Sequence, residues 1–175
     1  IAGDRAHPAN FGSLCSKGTW LGETLGLEGR LLHPMIGEEQ VTWDSALDEV
    51  AGRVPILIEI KSGGASFKHA GALCQAVRRV LEGYTGPHAI MSFDPRVVRW
   101  FANRSPHTVR GLVVTEENAK ALPGQIRRRL ALWLARPDFL AYDIRDLPSR
   151  FAAGQRQRGL PVLTWRSEEH TSELQ

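Results

Sequence analysis

Apolar and polar positions follow one another along this 175-residue chain in two different styles. Residues 1–53 read differently from the rest: Gly, His, Pro and Asn recur and no long periodic run forms before Trp43, which predicts an irregular segment of loops and short strands ahead of it. The first helical pattern is Trp43-Asp44-Ser45-Ala46-Leu47-Asp48-Glu49-Val50. Thr42 is placed to cap it, and Asp44 and Asp48 stand near the end where the helix dipole favours negative charge. From residue 54 onward, short apolar runs alternate with amphipathic ones. That alternation predicts βαβ units joined by right-handed crossovers, hence an α/β fold with a parallel sheet.

About five strands are expected, at 55–61, 88–93, 110–114, 138–144 and 160–165. The first is apolar at every position before Glu59, which suits a buried parallel strand. Between the strands, residues 67–84 place Ala70, Leu73, Cys74, Val77, Val80 and Leu81 on one stripe of a helix. Cys74 is therefore expected in the core, and Lys68 and His69 on a solvated face. Asp94 and Pro95 start a short helix that runs through Trp100 and Phe101. Residues 116–136 form one helix, or two broken at Pro123-Gly124. There Arg127-Arg128-Arg129 is expected on the solvated side, with Leu130, Leu132, Trp133 and Leu134 packed on the sheet. A last helix over 148–158 stops at Gly159.

Composition changes this picture little: 42% hydrophobic and 23% charged residues are ordinary for a globular domain. A formal charge of +3 falls far short of the clustered basic density that drives binding to nucleic acid, which is not expected as a partner. No apolar run reaches membrane-spanning length. Cys15 and Cys74 are far apart and do not suggest a disulfide framework, which agrees with a reducing, cytoplasmic compartment.

Candidate chemistry gathers at the carboxyl end of the first strand, where Glu59 and Lys61 stand. In parallel sheets, sites form beyond the carboxyl ends of the strands, so the pair is a site candidate. A surface ion pair at a strand end explains it equally well. Cys15, followed by Lys17, reads from its residue type as a buried structural cysteine.

Resemblance to known families adds more. Ile58-Glu59-Ile60-Lys61, then Met91-Ser92-Phe93-Asp94, Arg110-Gly111-Leu112-Val113-Val114 and Pro161-Val162-Leu163-Thr164-Trp165, resembles the glycerophosphodiester phosphodiesterases in order and spacing. That likeness covers residues 54–165 and implies a partial, open TIM-type (β/α) barrel preceded by the irregular segment. It also implies metal-dependent hydrolysis of a small glycerophosphodiester with Mg²⁺ or Ca²⁺. Glu59 would be a metal ligand and Lys61 its catalytic neighbour. The family's paired histidines and its other two metal carboxylates belong to earlier strands, and residues 1–53 do not resemble those strands.

Residues 1–53 instead resemble the amino-terminal module of molybdopterin oxidoreductases, most closely the assimilatory nitrate reductases. The likeness runs through Gly3-Asp4-Arg5-Ala6-His7-Pro8, Leu14-Cys15-Ser16-Lys17-Gly18, Leu31-Leu32-His33-Pro34-Met35 and Val41-Thr42-Trp43-Asp44. It implies that Cys15 is the last of four ligands to a [4Fe-4S] cluster and that Lys17 lies between the cluster and molybdopterin. Residues 1–14 contain no other cysteine. The final ten residues, 166–175, resemble translated sequencing adapter and form an artefactual polar tail.

Together these resemblances imply a chimera in three parts, 1–53, 54–165 and 166–175. Its expected activity is that of an inactive phosphodiesterase fragment, with an incomplete iron–sulfur oxidoreductase module as the alternative. No cofactor is expected to be bound, and the open sheet edges are expected to promote non-specific self-association. A genuine small α/β protein sharing both patterns is the competing origin.

Overall fold

The structure is a computed structural model and describes residues 33–62, 67–117 and 121–165. Cys15, Lys17 and the 166–175 tail lie outside the described residues. The chain divides into two compact units, residues 1–46 and 47–175.

In the first unit, β1 (Met35–Ile36) pairs antiparallel with β2 (Glu39–Gln40). The turn between them uses Gly37 at φ +60°, a left-handed conformation that glycine adopts without a Cβ penalty. Helix α1 (Trp43–Val50) begins after Thr42, whose Oγ1 accepts the Ser45 backbone N–H at 3.2 Å, as the sequence predicts. Leu47, farther along α1, belongs to the core of the second unit.

The second unit is a five-stranded parallel sheet in the order β3-β4-β5-β6-β7. Its strands are β3 (Ile56–Glu59), β4 (His88–Ser92), β5 (Val109–Val114), β6 (Phe139–Asp143) and β7 (Val162–Trp165). Between them come α2 (Phe67–Leu81), α3 (Pro95–Arg104), α4 (Leu122–Ala135) and α5 (Arg150–Gln157), with a 3₁₀ turn over Ile144–Asp146 before α5. Each strand neighbours the next in sequence, which is the winding of a (β/α) barrel left open. Among the described residues β3 pairs only with β4, and β7 only with β6.

Alternation along the strands decides the packing. Successive side chains point to opposite faces, and the even-numbered positions meet the helices. Ile56, Ile58, Ile60 and Ile90 pack with Cys74 and Leu81 of α2 and with Val97 and Phe101 of α3. Leu112, Val114, Leu140 and Tyr142 pack with Val98, Ala135 and Ala152. Cys74 is buried in this core as predicted, and burial, helped by the Asp94 charge, pushes its thiol up to about 11.

The odd-numbered positions face the inside of the open barrel. Val113, Phe139 and Ala141 pack on one another there with Ala89, Met91 and Trp165. A Cβ at Gly111 would lie 2.3 Å from the Phe139 ring on the neighbouring strand, so a larger residue there would have to displace that ring. Toward the sheet edges the same face is exposed, with Leu57 at 47%, Phe93 at 48% and Leu163 at 48%. The expectation that the first strand is buried on both faces therefore holds only for its helix side.

Helix α4 departs from expectation in another way. It starts at Leu122, not at residue 116, with Pro123 in its first turn, where the missing N–H breaks no intrahelical bond. Leu132, Ala131 and Ala135 pack toward the sheet, but Leu130, Trp133 and Leu134 are exposed. The arginine triplet splits as well. Arg128 is largely covered and reaches Glu116 at 3.5 Å, whereas Arg127 and Arg129 are exposed. Consecutive helical residues point about 100° apart, so a triplet cannot share one environment.

Candidate active site

Beyond the carboxyl ends of β3 and β4 lies a cleft of about 440 Å³ lined by Glu59, Lys61, Ser62, Ser92, Phe93 and Asp94. Chain reversal at the strand ends builds it. Ser92, buried at the end of β4, donates from Oγ to the Ile60 carbonyl at 2.7 Å and accepts the Asp94 N–H at 3.1 Å. That bridge holds the two strand ends side by side, which brings residues 59–62 against residues 92–94.

Glu59 shares the parity of Leu57 and so belongs to the open face, half-exposed at its edge. Its Oε2 lies 3.9 Å from the Lys61 Nζ, with the Lys61 side chain 76% exposed. A pair so open to water contributes little to stability, about 0–1 kcal/mol. It does set a cation and a carboxylate side by side at the mouth of the cleft, a suitable place to meet a phosphate ester.

Asp94 is committed elsewhere. It caps α3, accepting the Arg96 backbone N–H at 2.9 Å, and its two oxygens take the Arg96 guanidinium at 2.9 Å and 2.7 Å. Ser62 Oγ donates to the same carboxylate at 3.1 Å. The Arg96 guanidinium, more than any other group, holds the Asp94 carboxyl below the usual carboxylate range. At the end of β6, buried Asp143 repeats the arrangement: it accepts from the Arg145 backbone N–H at 3.0 Å and from its guanidinium at 2.8 Å.

Hard divalent cations take six or more oxygens, several of them carboxylate. Of the two acids lining the cleft, Asp94 is bound to a guanidinium and Glu59 faces an ammonium. The described residues therefore do not fit a divalent cation, and none of their His, Cys, Asp and Glu side chains form a group of three or more suited to a metal. His88 opens β4 at the amino-terminal end of the sheet, away from Glu59, and its Nδ1 lies 2.9 Å from the Gly86 carbonyl oxygen.

A second polar cluster escaped the sequence reading. Glu116, just after β5, receives hydrogen bonds from the Tyr142 hydroxyl and the Ser149 hydroxyl and faces Arg128. Asp146 accepts from Thr115 Oγ1 at 2.9 Å and from the Glu116 N–H at 2.6 Å. Ser149 also caps α5, accepting from Phe151 and Ala152. Burial, then the bond to Glu116, pushes the Tyr142 phenol well above its ordinary value. The cluster ties the β5–α4 loop to α4 and to the start of α5.

No family model matches the chain. Three curated relatives share part of its sequence. The nitrate reductase of Klebsiella oxytoca is 41% identical over 91 residues, which is 49% of this chain and 10% of that protein. The nitrate reductase of Symbiobacterium thermophilum is 41% identical over 58 residues, 30% of the chain and 8% of that protein. The F420-dependent formate dehydrogenase 2 subunit alpha of Methanococcus maripaludis is 39% identical over 54 residues, 29% of the chain and 8% of that subunit. The matches thus span a tenth or less of the relatives' own length.

Solved structures point elsewhere. A Silicibacter pomeroyi protein assigned as a glycerophosphoryl diester phosphodiesterase superposes with a TM-score of 0.57 at 20% identity, over 71% of this chain and 45% of that one. A glycerophosphodiester phosphodiesterase of Parabacteroides distasonis superposes with a TM-score of 0.58 at 14% identity, over 82% and 59%. At such identities the likeness is one of fold alone, and that fold is an open half of a (β/α) barrel. The resemblance has two parts, oxidoreductase in sequence and phosphodiesterase barrel in architecture. No helix among the described residues is long and apolar enough to cross a membrane.

Proposed function

We propose that residues 54–165 are the later part of a glycerophosphodiester phosphodiesterase-type barrel, and that these 175 residues alone do not turn over phosphodiesters. The observation that carries this is the cleft's acid set. Asp94 is held by Arg96, which leaves Glu59, facing Lys61, to ligate a cation. Glu59 keeps the place of a metal ligand for Mg²⁺ or Ca²⁺, and Lys61 that of a neighbour able to attract a phosphodiester. General acid–base transfer worth typically 10²–10⁴-fold has no histidine beside Glu59 among the described residues lining the cleft.

An oxidoreductase segment in residues 1–53 is the second reading, and the nitrate reductase and formate dehydrogenase relatives favour it. Two of those matches, at 58 and 54 residues, are close to the length of that segment, while the 91-residue match to the Klebsiella oxytoca protein is longer than it. There Cys15 would supply one thiolate of the four that a [4Fe-4S] cluster needs, with Lys17 toward the pterin. We read residues 166–175 as an adapter-derived tail and the compartment as cytoplasmic. The edges of β3 and β7, unpaired among the described residues, support self-association, and the mild overall charge supports no role in binding nucleic acid.

The test is glycerophosphodiester hydrolysis by the full chain with Mg²⁺ or Ca²⁺, alongside a Glu59→Ala control. Equal background release from both is expected. Turnover by a soluble monomer that Glu59→Ala abolishes would overturn the proposal.

A further inference from the structure

Helix α4 is apolar on two sides, and the side turned away from the sheet packs against no other element among the described residues. Ala131, Leu132 and Ala135 face inward, while Leu122, Ile126, Leu130, Trp133 and Leu134 are exposed, Trp133 at 72% and Leu130 at 60%. At about 100° per residue these five side chains fall within one arc of about 120°. Arg127 borders that arc on one side and Arg129 on the other. The neighbouring α5 widens the basic flank: Arg150 and Arg158 join Arg129 and Trp133 around a shallow groove of about 620 Å³.

This exposure does not come from the open edges of the sheet. Helix α4 connects β5 to β6 inside the sheet order, packs on α3, and reaches α5 through Arg128, which lies 5.6 Å over the Phe151 ring. Charge here is strongly of one sign. Residues 122–158 hold eight arginines and three aspartates. The aspartates are engaged: Asp138 with Arg110, Asp143 with Arg145 and Asp146 with Thr115.

A contiguous apolar stripe with a tryptophan and flanking arginines is the pattern of a helix that lies in the plane of a membrane interface. Its apolar residues would enter the acyl boundary, and the arginines would extend to the phosphates on either side. A nucleic-acid backbone would meet the apolar stripe at the centre of the contact, where it has nothing to offer. We propose that the α4–α5 face docks peripherally on an anionic phospholipid surface through Ile126, Leu130 and Trp133, with Arg127, Arg129, Arg150 and Arg158 taking the headgroup phosphates. This is independent of any hydrolytic role.

The experiment is co-sedimentation of the full chain with vesicles of phosphatidylcholine alone and with about a third phosphatidylglycerol. Pelleting is expected with the anionic vesicles only, with release as salt rises. The double variant Leu130→Ser with Trp133→Ser should lower the bound fraction about tenfold. So should Arg129→Glu with Arg158→Glu, an exposed pair that gives an independent reading if the apolar variant unfolds. Three results would overturn the proposal: no pelleting with anionic vesicles, equal pelleting with neutral ones, or a stripe-dependent dimer by light scattering that leaves vesicle binding unchanged in the variants.

Discussion

The same five strands supply both faces of the parallel sheet, yet neighbouring residues meet very different surroundings. On β3, Ile56 and Ile58 lean on the α2–α3 core, while Leu57 and Glu59 point into an open concavity. On the helix side the residues at the centre of the sheet are fully buried, Ile90 and Leu140 among them. On the other side only the middle of the sheet packs on itself, through Val113, Phe139 and Ala141, and Phe93 meets Trp165 edge-to-face at 5.7 Å. An apolar run therefore specifies a strand without specifying that both its faces are covered. Stability should reside on the helix side, and any residual chemistry on the rim of the open side.

The largest expected contrast pairs two leucines on adjacent strands. Leu140→Ala, at a fully buried site on β6, should cost about 3 kcal/mol through lost transfer and cavity energy. Leu163→Ala, on the open face of β7, should stay within about 0.5 kcal/mol. Urea midpoints of the two variants would measure the difference, and equal losses would mean that the open face is covered in solution.

A smaller effect belongs to the rim. Asp94→Ala removes the α3 cap and both guanidinium contacts, and should cost about 1–2 kcal/mol. The folded Asp94 carboxyl lies below its unfolded value, chiefly through its hydrogen bond with Arg96. Its contribution should therefore be fully present above about pH 4, the unfolded range, and be lost as pH falls through the lower folded value. Melting temperatures of wild type and variant should converge on acidification. Parallel curves would exclude this linkage.

Much of this was legible from residue pattern. The strand–helix alternation gave all five strands to within about two residues, because punctuation by Gly and Pro is local. Asp94-Pro95 announced its cap, and the position of Glu59 and Lys61 at a strand end placed them on the rim. Helix α4 misled because both of its faces are apolar, so periodicity alone could not choose which one the sheet would cover. The Glu116–Tyr142–Ser149 cluster joins residues 26 and 33 positions apart, and no local motif encodes such a contact.

The most direct measurement is calorimetric titration of the full chain with Mg²⁺ and Ca²⁺, repeated on Glu59→Ala. With Asp94 held by Arg96 and one carboxylate left in the cleft, no saturable binding is predicted in the affinity range of dedicated protein sites, about millimolar or tighter. Stoichiometric binding that disappears in Glu59→Ala would contradict the reading of this cleft as an incomplete site.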